Sequence, residues 1–154
     1  LSFERWFINS CYIWAIVYIG IDFGLKRCGI AVTDTESIIA SPLQMVPSEK
    51  LLSWLKEFAA KHSIAGFVLE YPLNLDGSKT HVSDNVTLLK EVIEKEFSAI
   101  PVYLQDERYS SKRASEAIYM AGKKKDLKNK ALVDTVSAAI ILQDFLNSRW
   151  NYLK

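Results

Sequence analysis

Apolar residues fall into short runs over the first half of the chain and at helical spacing over much of the second. Residues 17–21 form one run, closed by Asp22, and residues 30–32 form another. Between them lie Gly24 and Gly29 with the cations Lys26 and Arg27. This pattern predicts a β-hairpin that sets one carboxylate beside a tight basic loop. A third strand is predicted over 38–46, interrupted by Pro42 and therefore at an edge or bulged. Ser48 is placed to cap a helix. In it Leu51, Leu55 and Phe58 recur at helical spacing, and Leu52, Trp54 and Ala59 widen the buried stripe. Residues 64–69 read as a buried strand running into Glu70-Tyr71-Pro72. Asn74, Asp76, Gly77 and Ser78 are turn chemistry and mark a loop over 73–82. Val86, Leu89, Val92, Ile93 and Phe97 trace a second helix, followed by a short strand over 101–104. A third helix is predicted over 111–121 with Gly122 as its stop. A fourth, over 131–148, carries Val133, Val136, Ile140, Ile141 and Phe145. The order β-β-β-α-β-α-β-α-α implies an α/β fold. Its mixed five-stranded sheet is antiparallel at first, parallel later and flanked by helices.

The length of 154 residues suits one domain with a sizeable core. Hydrophobic residues make up 49% and charged residues 24%, the balance of an ordinary globular protein. A net charge of +1 says nothing about partners, but its distribution does. Between Ser110 and Lys130 seven cations (Lys112, Arg113, Lys123, Lys124, Lys125, Lys128, Lys130) face two anions, Glu116 and Asp126. Such a stripe is either a solvated helix end and loop or the footprint of a nucleic acid. Cys11 and Cys28 lack metal-ligand spacing and read as reduced thiols of a cytoplasmic protein. His62 and His81 cannot make a histidine-rich zinc site. Residues 11–21 are apolar but fall short of the roughly 20 residues a membrane span requires. A basic leader and a small-residue cleavage site are missing as well. The expectation is a single domain over 17–150. Residues 1–16 would then be an upstream extension of the gene model, with Val17 as the true initiator; intact-mass measurement of the native protein tests this.

Acids recur where the pattern predicts strand ends or burial: Asp22, Glu70, Asp106 with Glu107, and Asp134 between Val133 and Val136. Each has a bland account: a turn aspartate, a lysine partner, a cap, a favourable charge near a helix N-terminus. Together they suggest more. In the parallel part of such a sheet, strand carboxyl ends gather at one edge, where ligands bind. The small residues Ser137, Ala138 and Ala139 let the last helix approach and bring Asp134 in. Clustered carboxylates repel unless a cation intervenes, and hard oxygen ligands suit Mg²⁺ or Mn²⁺. A cluster of this kind can hold two ions about 3.5–4 Å apart for phosphodiester hydrolysis.

Five separated stretches resemble one family: GIDFGLKRCGIAVTD (20–34), SPL (41–43), PLNLDGS (72–78), DERYSS (106–111) and NKALVDTVSAAIILQDFL (129–146). They resemble, in order, the YqgF family, also called RuvX. The resemblance spans nearly all of residues 17–146. It implies an RNase H-like fold, a cytoplasmic bacterial nuclease that helps process the 5′ end of pre-16S rRNA, and likeness to Holliday-junction resolvases. It assigns Asp22, Asp134 and one of Asp106 or Glu107 to the metals, and Arg108 to a phosphate contact. Adjacent strand residues point to opposite faces, so one of Asp106 and Glu107 faces the ions unless the strand has ended there. Where the family has Gly-Leu-Pro, this chain has Glu70-Tyr71-Pro72. Glu70 is then either an extra metal ligand or a substitution tolerated at the cleft rim. Lys26 and Arg27 would orient phosphates, and Lys123, Lys124, Lys125, Lys128 and Lys130 would add sequence-independent affinity. Tyr71 and Tyr109 are candidates for base stacking or for packing. The expected partner is RNA or branched DNA, bound by a monomer or a homodimer. The rival activities are a DNA junction resolvase and a non-catalytic RNA-binding assembly factor.

Overall fold

The computed structural model describes residues 16–106 and 110–152. A five-stranded sheet runs in the order β3-β2-β1-β4-β5. Its strands are β1 (Ile16–Phe23), β2 (Arg27–Thr33), β3 (Ala40–Pro47), β4 (Ser63–Tyr71) and β5 (Val102–Asp106). The helices are α1 (Leu51–Lys61), α2 (Ser83–Glu96), α3 (Ser110–Met120) and α4 (Lys130–Tyr152). β2 pairs antiparallel with both β1 and β3, whereas β4 pairs parallel with β1 and β5. The mixed architecture read from the pattern is thus present, with the same element order.

Period-2 alternation splits the sheet between two cores. Ile19, Ile21, Cys28, Ile30, Phe67 and Leu69 face α1 and α2 and pack with Leu51, Leu55, Val86 and Ile93. Ala31 and Val68 face α4 and pack with Ala138, Ile141, Leu142 and Phe145. The α4 face is flattened by glycine. A Cβ on Gly20 would lie 2.8 Å from Leu142 Cβ, and one on Gly29 would lie 2.0 Å from the Asp134 carbonyl oxygen. Without those side chains the helix backbone lies almost on the sheet. Gln143 pins the other end of the contact. It accepts from the Ala40 N–H and donates to the Ile38 carbonyl. Arg149 lies over the rings of Tyr18, Tyr103 and Phe145.

Several boundaries depart from the pattern. β1 continues to Phe23 and β2 begins at Arg27, so Asp22 lies within a strand and Gly29 in the ladder rather than in the turn. Backbone pairing extends the hairpin past the apolar runs because ladder bonds do not depend on side-chain polarity. β4 likewise includes Glu70 and Tyr71, and β5 reaches Asp106. Ser48 opens a short 3-10 turn instead of capping α1. Its hydroxyl donates to the Gly24 carbonyl at 2.6 Å, fastening the hairpin turn. Gly122, at φ +77°, stops α3 as expected. Among the described residues no helix is long and apolar enough to cross a membrane. Residues 1–15, the subject of most of the expected extension, lie outside the described residues.

Candidate active site

Three acids meet at the carboxyl ends of β1 and β4, on the α4 face. Alternation puts Asp22 on the same face as Gly20, and Glu70 on the same face as Val68. Asp134 arrives from the opposite layer. Asn129 caps α4 by accepting the Leu132 N–H at 3.3 Å, and Asp134 follows just beyond the first turn. Gly29 is the register partner of Asp22. The backbone of Asp134 sits over that glycine. The hairpin therefore carries both the first acid and the gap that admits the last.

The electrostatics of this corner are those of crowded carboxylates. Burial raises the Asp22 carboxyl well above its ordinary range. Glu70 raises it further, by like charge and by a hydrogen bond to the protonated form, and Asp134 adds to the repulsion. The Ser137 hydroxyl, one turn beyond Asp134, opposes this weakly. Ser137 is buried, and its Oγ meets no partner at full hydrogen-bond geometry among the described residues. Glu70 is held from outside the sheet. Ser110, in the first turn of α3, donates its hydroxyl to Glu70 Oε1. Asp134 is held by Arg27, whose Nε donates to Oδ2 at 2.5 Å.

In front of these acids lies a cleft of about 430 Å³. It is lined by Asp22, Gly24, Leu25, Lys26, Arg27, His81, Val82, Lys130 and Asp134. An acidic floor is thereby rimmed by three cationic side chains, Lys26, Arg27 and Lys130, the usual polarity of a site that binds a metal below and a phosphate above. The rim is braced. Ser48 fastens the hairpin turn through its N–H to the Lys26 carbonyl as well as through its hydroxyl. The loop carrying His81 is tied down by Ser83, which donates to the Pro72 carbonyl and accepts from the Thr80 N–H.

The donor set suits a hard divalent cation. Like charge from Glu70 and Asp134 crowds the buried Asp22 carboxyl, and a divalent cation among them would offset that repulsion. Among the described residues no three such side chains are already arranged around one point. The Arg27 bond occupies one of the two Asp134 carboxylate oxygens.

Of the residues singled out from sequence, Asp22, Glu70, Asp134, Lys26, Arg27 and Lys130 come together here. Asp106 does not. It is the register partner of Tyr71, and Gln105 is the partner of Glu70. Alternation therefore turns Asp106 to the sheet face away from Asp22. Tyr71 packs against the α1/α2 core and is no stacking platform in this cleft. Glu107, Arg108 and Tyr109 lie outside the described residues. Lys123, Lys125 and Lys128 are exposed around the 3-10 turn before α4, outside the cleft lining. Sequence reasoning missed His81, Ser110 and the packing role of Gly29, and it read Ser137 only as a small residue that admits the last helix. Only Gly29 carried a local signal: a glycine inside a strand pattern marks close backbone approach.

Residues 16–148 match the family described as RuvX: Holliday junction resolvase. A protein of Amoebophilus asiaticus is 40% identical over 129 residues, covering 83% of this chain and 92% of that one. A protein of Bacteroides thetaiotaomicron is 39% identical over 132 residues, covering 85% and 96%. Each bears the name "Putative pre-16S rRNA nuclease". Among solved structures, Thermus thermophilus RuvC in complex with a Holliday junction substrate superposes with a TM-score of 0.52 at 17% identity. That match covers 88% of this chain and 96% of RuvC, and it carries the fold, an RNase H-like nuclease fold. With its motifs in order and a family match over most of its length, the chain belongs to the RuvX family.

Proposed function

We propose that this protein is a divalent-metal-dependent nuclease that hydrolyses phosphodiester bonds at the 5′ end of pre-16S rRNA. The observation that carries the reading is the convergence of Asp22, Glu70 and Asp134 beneath a cleft rimmed by Lys26, Arg27, Lys130 and His81. The names of the relatives support the RNA substrate. Asp22, Glu70 and Asp134 would hold Mg²⁺ or Mn²⁺; the action of Glu70 on Asp22 and its bond from Ser110 support counting the extra acid in that set. Strand register supports Glu107 over Asp106 as the acid that the D-E-R motif would add. When bound, the ion supplies Lewis-acid polarisation of the phosphodiester and lowers the pKa of water. The protein's own groups do the rest. Lys26, Arg27 and Lys130 bind and orient the phosphates, and the braced turn and loop hold those cations in place before substrate arrives. The lysines over 123–130 add affinity that does not depend on sequence.

The test is incubation of a pre-16S 5′-leader RNA and, separately, a four-way DNA junction with Mn²⁺ or Mg²⁺. The wild type and Asp22→Asn are compared. The expected result is metal-dependent cutting of the RNA, reduced about a hundredfold or more in the variant. Cutting confined to the junction would replace this reading with the resolvase activity for which the family is named. RNA binding without cutting by either protein would replace it with an assembly factor.

A further inference from the structure

We propose that Arg27 is a positioning residue that makes phosphate binding and metal binding cooperative. It holds Asp134 away from the metal until a phosphodiester takes the guanidinium. The inference rests on the metal site proposed above. Arg27 lies in β2 and Asp134 in α4, 107 positions apart, yet the Arg27 Nε bonds Asp134 Oδ2 at 2.5 Å. Both side chains line the cleft and remain partly exposed, 36% for Arg27 and 24% for Asp134. They are accessible enough to exchange partners.

The geometry creates a competition. A guanidinium has five donors in a planar fork and always carries charge. It pairs with Asp134 in the absence of a metal. It also occupies a carboxylate oxygen that Asp134 would offer to an ion. A phosphate entering over Lys26 and Lys130 offers the guanidinium a bidentate partner of at least equal strength. Once Arg27 turns to the phosphate, Asp134 is free for the ion, and the ion in turn removes any reason for Arg27 to return. Metal and substrate thus tighten each other's binding by the same factor, as linkage requires. A nuclease built this way keeps its metal site incomplete until nucleic acid is present.

The test measures Mn²⁺ affinity by electron paramagnetic resonance on the intact protein, so that it does not depend on cleavage. Without nucleic acid, Arg27→Met should bind Mn²⁺ about fivefold more tightly than wild type, the size of a partly exposed ion pair. Lys130→Met, which removes a charge from the same cleft without touching Asp134, should change it less than twofold. A phosphorothioate RNA 12-mer should tighten Mn²⁺ binding to wild type and not to Arg27→Met. The proposal is overturned if Arg27→Met binds Mn²⁺ no more tightly than wild type, if Lys130→Met matches it, or if the oligonucleotide tightens both proteins equally. Loss of Mn²⁺ binding in Asp22→Asn checks the metal site itself. If that variant binds Mn²⁺ like wild type, the site assignment fails, separately from the coupling.

Discussion

Asp22 shows at the scale of one residue how function works against stability. Its carboxyl is raised by burial first and by Glu70 second, so the folded protein binds a proton more tightly than the unfolded chain does. The sign follows from that. Without metal, the contribution of Asp22 to stability is complete below the ordinary carboxylate pKa and is lost as pH rises through the raised folded value. Asp22→Asn removes the charged form. At neutral pH in a chelator it should stabilise the protein by about 1–2 kcal/mol and raise Tm by about 5 °C, with a flatter pH dependence. In saturating Mn²⁺ the order should reverse, because only the wild type gains binding energy. Thermal melts with and without the ion check both halves, and a less stable variant in chelator would refute the account. Asp22 and Asp134 were visible in sequence because acids stand out against an apolar pattern. Ser110 and His81 were not, since a serine or histidine near a helix end reads the same whether it faces solvent or a cleft.

Elements meet at this site through absences of side chain. Gly29 faces the Asp134 backbone, where a Cβ would lie 2.0 Å from the carbonyl oxygen, so even alanine forces α4 off the sheet. Gly29→Ala should cost about 3 kcal/mol in urea unfolding and weaken Mn²⁺ binding beyond what partial unfolding explains. Undiminished Mn²⁺ affinity in the folded fraction would show that Asp134 does not depend on that approach. Ser48 makes the complementary point. As a helix cap it would act on α1; as observed it holds the turn carrying Lys26. Ser48→Ala should leave the helical circular dichroism unchanged and lower stability by about 1 kcal/mol through the hairpin. A serine before an apolar helix is a local signal for a cap, while the carbonyl that claims its hydroxyl lies 24 positions away and leaves no local trace.

Over the whole molecule, charge is arranged in two tiers. The cleft cations stand over the acids, and Lys123, Lys125 and Lys128 are exposed around the turn that leads into α4. The two tiers predict separable effects. Neutralising Lys123, Lys125 and Lys128 together should reduce the slope of log K against log salt by about 0.7 for each phosphate of single-stranded RNA that the variant no longer neutralises. The metal dependence of cleavage should stay as it was. Filter binding across a salt series measures the first, and a metal titration of cleavage measures the second. An unchanged slope would remove these lysines from the RNA footprint.

Sequence alone determined the order of the elements and the mixed sheet, because hydrophobic period and turn chemistry are local and survive in one dimension. It also singled out Asp22 and Asp134 as acids in the wrong company. Tertiary structure decided what those acids do together. Strand register separated Glu70 from Asp106, since a shift of one residue moves a side chain to the other face. The bare backbone of Gly29 set the depth of α4, and with it the place of Asp134. The pairing of Arg27 with Asp134 was decided there too, because the 107 positions between them are closed only when β2 and α4 pack.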